Sequence, residues 1–249
     1  MLVTGSTRGI GLASAERFAQ EGAKVAICGR TRTSLDSALA RLETTGAGHH
    51  GVEVDLSTPT GVEDFVREAA QHLGRVDVLV ANVGGTVGGN FLETDAEAWV
   101  KTYELNLVHA VRAIKACVPH FVAAGGGSVV VVASISGFKP GPRAQYGAAK
   151  AAEIFLASAL ARELAPQKIR VNAVSPGSIL FEGGSWAKRM KELPQKLGEF
   201  VAREFPAGRM GTLDELADAI AFLASPRASW INGANLVVDG AQGNPSIRL

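Results

Sequence analysis

Short apolar runs rich in β-branched residues alternate with amphipathic stretches along most of the chain, and this rhythm constrains the fold most strongly. Six runs have strand character: KVAIC, GVEVDL, VDVLVAN, SVVVVAS, IRVNAVS and NLVVD. Strands that are apolar on both faces, each followed by a helix, are typical of a parallel sheet covered on both sides. The pattern predicts an α/β fold, a doubly wound parallel sheet flanked by helices, as a single domain over residues 1–249.

One segment interrupts this alternation, the helical stretch of residues 178–206 that follows the strand IRVNAVS. It is broken by Gly183-Gly184 and by Pro194, and it carries the large apolar side chains Phe181, Trp186, Met190, Leu193 and Phe200. A segment that follows a strand in such a sheet emerges at the carboxyl edge, where ligands bind. We therefore expect a helical substrate lid at about 178–206, and surface decoration is the alternative.

Composition argues against several classes of function. Lysine and arginine total 25 and aspartate and glutamate 24, so no nucleic-acid or membrane-surface partner is expected. The two cysteines, Cys28 and Cys117, form no disulfide framework, which favours a cytoplasmic location. The longest apolar run, VVVVA at 129–133, is too short to span a membrane, and no signal-peptide pattern occurs. Since metal-binding and hydrolase motifs are also missing, we expect no metal.

The stretch TGSTRGIG at residues 4–11 joins an apolar start to the helical pattern LASAERFAQEG. Glycine permits positive φ and close approach of a ligand, and N–H groups at a helix start favour phosphate. The spacing of Gly5, Gly9 and Gly11 differs from the G-x-G-x-x-G fingerprint, so a plain tight turn is the alternative. Only Met1–Val3 precede the turn, so either the first strand is short or the sequence starts within a longer chain.

The stretch YGAAK places Tyr146 and Lys150 four residues apart, and therefore on one face of a helix. An ammonium group favours the phenolate form of a nearby tyrosine, so the pair is a candidate general acid/base, although chance produces many such pairs. Ser134 ends the strand VVVVA at the same predicted edge, where its hydroxyl is placed to orient a substrate oxygen. Asn106, in the apolar pattern YELNLVHA, either makes a structural bond or holds a water that leads to Lys150.

Together these motifs resemble the short-chain dehydrogenases/reductases, including their 3-oxoacyl-[acyl-carrier-protein] reductase-like members. The resemblance runs from residue 3 to about residue 240 through TGSTRGIG, VDLS, ANVG, ELNL, SVVVVASISG, YGAAK, IRVNAVSPG and NLVVDG. It implies a Rossmann-type fold, a homo-oligomer expected as a tetramer, and hydride transfer between a nicotinamide cofactor and a carbonyl or secondary alcohol. The implied catalytic residues are Asn106, Ser134, Tyr146 and Lys150.

The resemblance also implies a role for each of these side chains. The tyrosine protonates the carbonyl and the serine orients it. The lysine assists the tyrosine and binds the nicotinamide ribose, and the asparagine supports a proton-relay water. Three departures from the family pattern stand out: Val83 in ANVG, Phe181 in place of a frequent threonine, and one residue fewer than usual between Ser134 and Tyr146.

Cofactor contacts follow from the same resemblance. Asp55 in VDLS resembles the residue at the adenine ring, and Asn82 in ANVG resembles the residue that braces the central strand beside the adenine ribose. The segment after IRVNAVS resembles the part that surrounds the nicotinamide carboxamide. The complete expected set is Gly5, Thr7, Arg8, Gly9, Ile10, Gly11, Arg30, Asp55, Leu56, Asn82, Tyr146, Lys150, Pro176, Gly177 and Ile179.

The end of the strand KVAIC predicts which dinucleotide is used. Gly29 stands where an NAD-preferring relative would have an aspartate, which would bind the ribose hydroxyls and repel a 2′-phosphate. Arg30 follows it, Arg8 approaches from the glycine-rich turn, and Arg32 adds to the positive field. We therefore expect NADP(H) to be favoured over NAD(H). The alternative is that Arg30 stacks on the adenine or lies in solvent.

The substrate is less constrained. Residues 84–95, 135–145 and 178–205 would shape its pocket, and their low charge favours a neutral or weakly polar small molecule. An acyl-carrier-protein thioester is one candidate, and a sugar, polyol or cyclic ketone is another, including for an NAD-dependent member. A nucleotide-sensing or structural protein without turnover is a further alternative, against which the complete catalytic set argues. An epimerase or dehydratase would need a larger substrate domain.

Overall fold

The computed structural model describes residues 1–243, and in this part of the chain seven parallel strands form one sheet. The strands are β1 (Leu2–Val3), β2 (Ala26–Gly29), β3 (His50–Glu53), β4 (Val78–Ala81), β5 (Gly127–Val132), β6 (Ile169–Pro176) and β7 (Asn235–Val238). Their spatial order is β3-β2-β1-β4-β5-β6-β7, so the winding reverses between β1 and β4. The predicted α/β, doubly wound parallel sheet is confirmed.

Helices cover both faces of the sheet. One apolar cluster joins the sheet to α3, α5 and α6, and a second joins the opposite face to α1, α2 and α9. The helices are α1 (Gly9–Gln20), α2 (Arg32–Glu43), α3 (Gly61–Leu73), α4 (Ala96–Tyr103), α5 (His109–Ala124), α6 (Ala144–Leu164), α7 (Ser185–Glu192), α8 (Pro194–Glu204) and α9 (Leu213–Ala224).

Strand β5 shows why the sequence lacks polar alternation. Val129 and Val131 belong to the cluster under α3, α5 and α6, whereas Val130 and Val132 belong to the cluster under α1, α2 and α9. All four side chains are buried. A strand that is covered on both faces must be apolar at every position, and this requirement is what the run VVVV reflects.

Helices α4 and α5 are joined through a π-helical segment, Glu104–Val108, into one helical run from Ala96 to Ala124. By length and composition alone this run is the one candidate membrane span in residues 1–243. Charged residues interrupt this run, so the sequence shows no long apolar stretch there. Core helices pass the same test, and α5 packs on α3 and β4.

The excursion after β6 contains α7 and α8, with the break at Pro194 that the sequence predicts. Its apolar side chains form a small cluster of their own, in which Leu197, Phe205 and Met210 are buried. The rings of Trp186 and Phe200 stack at 5.1 Å within this cluster. The excursion is therefore a packed unit in its own right, and its role as a lid stays a prediction.

Candidate active site

A cleft of about 1000 Å³ lies at the carboxyl ends of β1, β2 and β4. Open α/β sheets bind ligands at this position, where the strand order reverses. Of the expected cofactor residues, the wall of the cleft contains Gly5, Thr7, Arg8, Gly9, Ile10, Arg30, Asp55, Leu56 and Asn82. The volume suits an extended ligand of nucleotide size.

The glycine-rich turn between β1 and α1 depends on its glycines. Gly5 and Gly9 adopt φ values of +61° and +56°, in the left-handed region. At Gly11 an added Cβ would lie 2.4 Å from the carbonyl oxygen of Gly5, so the turn closes only without a side chain there. No side chain in residues 1–243 caps the start of α1. The first N–H groups of α1 are therefore suited to a phosphate.

Asn82, directly after β4, fixes this turn from the neighbouring strand. Its Nδ2 donates to the carbonyl oxygens of Thr4 and Gly5, each at 3.0 Å. Its main-chain N–H donates to the Thr4 hydroxyl at 3.0 Å. Val83 packs on the same turn, since a Cβ at Gly5 would lie 2.9 Å from the valine side chain. The departure from the family pattern at Val83 therefore fills space against the turn.

His109, at the start of α5, contacts the first residue of the glycine-rich stretch, Thr4. The sequence motifs do not identify it as a residue of the site. Its Nε2 lies 3.1 Å from the Thr4 hydroxyl, and the residue is 4% exposed. Burial lowers the pKa of His109 to about 4, and the charges of Arg112 and Lys150 act in the same direction. The imidazole is therefore neutral near pH 7, as a buried neighbour of cations should be.

Ser134 follows β5 and begins a short 3₁₀ turn, Ile135–Gly137. Its hydroxyl oxygen accepts the N–H of Ser136 at 3.1 Å, which caps that turn. The side chain is half-buried at the carboxyl edge of the sheet. This is the edge at which the sequence predicts it.

Two glycines dock that 3₁₀ turn on α6. A Cβ at Gly137 would lie 2.9 Å from the main-chain carbonyl carbon of Lys150. A Cβ at Gly147 would lie 2.8 Å from the Ser136 carbonyl oxygen. Because Tyr146 lies in the first turn of α6, this close packing brings the segment that carries Ser134 against the segment that carries the tyrosine.

Lys150 lies one helical turn beyond Tyr146, and its ammonium is 5.7 Å from the centre of the tyrosine ring. The ammonium donates to the Val132 carbonyl oxygen at 2.9 Å. A Cβ at Gly84 would lie 2.8 Å from Lys150 Nζ and 2.7 Å from Asn106 Oδ1. Two of the expected catalytic side chains therefore meet at this glycine.

Asn106 is fully buried in the π-helical segment between α4 and α5. Its Nδ2 donates to the carbonyl oxygens of Gly85 and Thr102 at 2.7 and 2.6 Å, and its Oδ1 accepts the Gly85 N–H at 3.1 Å. Of the two possibilities that the sequence leaves open, the structure shows the structural bond. The π-helical register, frequent at functional sites, is invisible in the apolar periodicity.

Glu153 is a further residue of the site that the motifs do not include. Its carboxylate accepts a hydrogen bond from Lys150 Nζ at 2.9 Å, and the two side chains are 2% and 3% exposed. Burial raises the pKa of Glu153, and the lysine charge opposes that shift. The sequence does contain a signal, an acidic residue within the apolar stretch AAEIFLASALA, but that signal is weak without the pairing.

The end of β2 has no space for an acidic side chain in this conformation. A Cβ at Gly29 would lie 2.5 Å from Thr7 Cγ2, so the threonine methyl occupies the position that an aspartate would need. Arg8 and Arg30 are exposed and line the cleft beside it. Within residues 1–243 neither guanidinium has an ion-pair partner inside 4.0 Å. Both cations are therefore available to an anionic ligand.

Two nearby charges differ in their surroundings. Asp55 accepts hydrogen bonds from the N–H and the hydroxyl of Ser57 at 2.9 and 2.7 Å. These bonds lower the pKa of Asp55, and the Arg30 charge adds to the effect. Arg32 pairs with Asp36 at 2.9 Å, so it contributes less to the positive field than its place in the sequence predicts.

The segment after β6 is held by residues near the end of the described chain. The Ser178 N–H donates to Gln242 Oε1 at 2.7 Å, and Gln242 Nε2 donates to the Ser178 hydroxyl at 3.0 Å. A Cβ at Gly177 would lie 2.7 Å from Asp239 Cβ. Ile179, the residue after Ser178, is buried. These contacts fix the segment that the resemblance assigns to the nicotinamide.

Phe181 closes one side of the cleft. A Cβ at Gly9 would lie 3.2 Å from its ring, and one at Gly184 would lie 2.9 Å from the same ring. The aromatic side chain therefore lies between two glycines, directly against the glycine-rich turn. Where the family often offers a hydroxyl, this chain presents an apolar surface.

A second cavity, of about 490 Å³, lies at the opposite, amino end of β6. Its lining includes Lys168, Arg170 and Trp230. The Arg170 guanidinium there donates to main-chain carbonyls at the end of α9, which is a structural use of the charge. The expected catalytic and cofactor residues all lie elsewhere.

Comparison with known proteins establishes the family. Residues 5–241 match the family model described as enoyl-(acyl carrier protein) reductase. Isoepoxydon dehydrogenase patN of Aspergillus clavatus is 36% identical over 245 residues, covering 96% of this chain and 93% of that protein. Dehydrogenase/reductase SDR family member 4 of Homo sapiens is 36% identical over 249 residues, covering 98% and 87%. The chain therefore belongs to the short-chain dehydrogenase/reductase family of oxidoreductases.

Solved structures agree with the fold. L-sorbose reductase from Gluconobacter frateurii, complexed with NADPH and L-sorbose, matches with a TM-score of 0.92 at 34% identity, over 98% of this chain and 96% of that one. NAD⁺-bound xylitol dehydrogenase matches with a TM-score of 0.88 at 29% identity, over 96% of each chain. These complexes support a nicotinamide dinucleotide as the class of cofactor. One contains NADPH and the other contains NAD⁺, so they do not distinguish between the two.

Proposed function

We propose that this protein is an NADP(H)-preferring oxidoreductase that interconverts a carbonyl and a secondary alcohol, with Tyr146 as general acid/base. The observation that carries the proposal is the docking of the Ser134 segment on α6, beside Tyr146 and Lys150, next to a cleft that holds a phosphate-binding turn. The test is consumption of NADPH with a panel of neutral ketones, followed by the nicotinamide absorbance. Turnover of at least one ketone is expected, and a folded protein that turns over none would contradict the proposal.

Each side chain has a defined task in this scheme. A nicotinamide dinucleotide held in the cleft would supply the hydride for reduction or accept it for oxidation. The Tyr146 hydroxyl gives its proton to the carbonyl oxygen during reduction and takes it back during oxidation. The Ser134 hydroxyl donates to the same oxygen, and Lys150 places a positive charge beside the phenol. Asn106 acts through the main chain, because its hydrogen bonds to Gly85 hold the segment that Lys150 contacts.

The preference for NADP(H) is supported by steric and electrostatic features. Thr7 fills the space beside Gly29 that a ribose-binding aspartate would need. The exposed Arg8 and Arg30 flank the same part of the cleft and offer planar donors to a 2′-phosphate. Among the neighbours, L-sorbose reductase holds NADPH and xylitol dehydrogenase holds NAD⁺. Steady-state kinetics should give a higher kcat/KM with NADPH than with NADH, and the reverse order would overturn the preference.

A neutral or weakly polar substrate fits the surroundings of the site. Lys139, in the loop after β5, pairs with Asp239 at 2.6 Å, so its charge is not directed at a substrate. Phe91, Leu92 and Phe138, on the two loops beside the site, are exposed. A set of ketones matched in size, with and without a carboxylate, tests this. Neutral ketones should have the lower KM, and a preference for the carboxylates would contradict the assignment.

We also propose a homo-oligomer, with a tetramer as the expected state. Val111 and Val122 on α5 and Phe155 on α6 are exposed, and Phe155 reaches 75%. Such apolar faces on long helices are suited to burial against a second copy. The apolar ending of the C-terminal stretch ANLVVDGAQGNPSIRL is a further expected contact with a second copy, and its residues 244–249 lie outside the described part of the chain. Light scattering at micromolar concentration should show an oligomer, and a monomer would refute the proposal.

A further inference from the structure

Helix α6 carries a third polar residue in line with the two that the motif predicts. Glu153 follows Lys150 by three residues and Tyr146 by seven, so all three lie on one helical face. The same face continues with Ala157 and Ala161, both buried in the apolar cluster beneath α3, α5 and α6. The Glu153 carboxylate therefore lies where the site ends and the apolar core begins.

Placing a charge at this boundary is costly. A buried ion pair loses about as much hydration energy as its attraction returns, and an apolar side chain of similar size is often as stable. Burial raises the pKa of Glu153, which shows the same cost. Within residues 1–243, Lys150 is the cation that offsets it. The pair is thus poorly explained by stability, and its effect on Lys150 is the better explanation.

We propose that Glu153 is a positioning residue, which fixes the Lys150 ammonium beside Gly84 and offsets part of the positive charge that the ammonium presents to Tyr146. Two acceptors hold the ammonium, the Val132 carbonyl oxygen and the Glu153 carboxylate, each at 2.9 Å. The carboxylate is the one that carries charge. This inference deepens the proposed function, on which it rests for the role of Tyr146.

His109 and Arg112, the titratable groups that α5 contributes on this side, keep a constant charge at neutral and mildly alkaline pH. From α5, His109 acts on Lys150, and its pKa of about 4 keeps it neutral at higher pH. Arg112, also on α5, is paired with Glu63. Strand β5 contributes the Val132 carbonyl, and the segment after β4 contributes Gly84. Replacing Glu153 therefore removes one negative charge beside Lys150 and leaves the other neighbouring charges as they are.

The chain contains two tyrosines, which allows a direct test without substrate. In a Tyr103→Phe background, the ultraviolet absorbance of the phenolate reports Tyr146 alone. We expect Glu153→Gln to shift the midpoint of this ionisation about one pH unit lower, because the lysine charge then acts without compensation. An unchanged midpoint in a folded Glu153→Gln protein would overturn the inference. If the glutamine variant does not fold, Glu153→Leu replaces it, with the same expected shift.

The pH profile of turnover supplies the second readout. In Glu153→Gln, the limb of the kcat profile that requires the phenolate for alcohol oxidation should move to lower pH by the same amount. A variant that loses only thermal stability, with both midpoints unmoved, would reduce Glu153 to a structural residue. The phenol titration needs no turnover, so it separates the two proposals. A shifted midpoint in a protein that reduces no carbonyl would contradict the proposed function and leave the role of Glu153 intact.

Discussion

The two sides of the proposed site, the cleft and the catalytic segments beside it, are built in different ways. The dinucleotide side, residues 2–30 with Asn82, is shaped by glycines and by neutral hydrogen bonds to main-chain carbonyls, and its cations are exposed. The catalytic side, residues 134–153 with Asn106, contains an ion pair that is almost entirely buried. One side therefore relies on backbone shape, and the other relies on a few side chains whose mutual electrostatic interactions are strengthened by burial.

This difference predicts that the two sides fail in different ways. Changes on the dinucleotide side should alter binding of the cofactor, since they distort or discharge the surface that it touches. Changes on the catalytic side that leave Lys150 in place should alter the chemical step while cofactor binding survives. Substitutions on each side test that separation.

Removing the Tyr146 hydroxyl should have the largest effect. Tyr146→Phe deletes the proton that the reaction transfers, so kcat should fall about a thousandfold, within the range for general acid/base catalysis. Tyr103→Phe is the matched control, because it removes the other phenol of the chain and should retain activity. The comparison is made by steady-state kinetics on the best ketone of the panel. Near wild-type kcat in Tyr146→Phe would show that the proton comes from elsewhere.

The pH dependence of stability should reveal His109, which joins the two sides. Its folded pKa of about 4 lies below its ordinary value of 6.5, so the unfolded chain binds the proton more readily. The stabilisation that the neutral His109 imidazole gives the folded state is therefore complete above pH 6.5. As the pH falls toward 4, the free energy of unfolding decreases by about 3 kcal/mol through this group.

Denaturant unfolding at pH 6.5 and at pH 4 measures this effect. The free energy of unfolding of His109→Gln should fall less between the two conditions than that of the wild type. His120→Gln, a change at the other histidine of the same helix, should behave as the wild type does. Equal losses in the wild type and His109→Gln would show that the buried imidazole does not govern this range.

Filling the glycine-rich turn should be harmful on the dinucleotide side alone. Gly11→Ala places a methyl group 2.4 Å from the Gly5 carbonyl oxygen, so the turn must move, at a cost of about 2 kcal/mol in cofactor affinity. Gly198→Ala is the control, since a Cβ there meets nothing within 4 Å. Cofactor titration and thermal unfolding of both variants decide the matter. Unaltered NADPH affinity in Gly11→Ala would contradict the described turn.

The smallest expected effect concerns the exposed cations. Arg30→Ala should raise the KM for NADPH about tenfold and leave that for NADH nearly unchanged, as expected for the loss of a charged hydrogen bond. Arg32→Ala is the matched control, because Arg32 is already paired with Asp36 and should matter less. Kinetics with both cofactors make the comparison. Equal changes for the two cofactors would remove Arg30 from 2′-phosphate recognition.

The sequence predicts the glycine-rich turn well because its requirements are local. Gly5, Gly9 and Gly11 are needed by the backbone of one turn, so their spacing is visible in eight consecutive residues. The sheet is equally predictable, since a strand buried on both faces must be apolar throughout, as β5 is. Steric and periodic rules of this kind act within a few residues of the chain.

The remaining features depend on contacts between distant segments. Gln242 holds Ser178 across 64 residues, and His109 reaches Thr4 across 105, so neither contact can be read from a motif. The pairing of Lys150 with Glu153 is local, yet its importance follows from burial, which only the packed fold provides. The π-helical register at Asn106 likewise follows from its bonds to Gly85 on another segment.

The separation of binding from chemistry is the central claim, and the effect of NADPH on thermal stability tests it most directly. A ligand that binds the folded state raises the melting temperature, by about 5 °C or more at a hundredfold excess over Kd. NADPH should raise the melting temperatures of the wild type and Tyr146→Phe equally, and that of Gly11→Ala much less. Loss of the NADPH effect in Tyr146→Phe, or its full retention in Gly11→Ala, would contradict the division between the two sides.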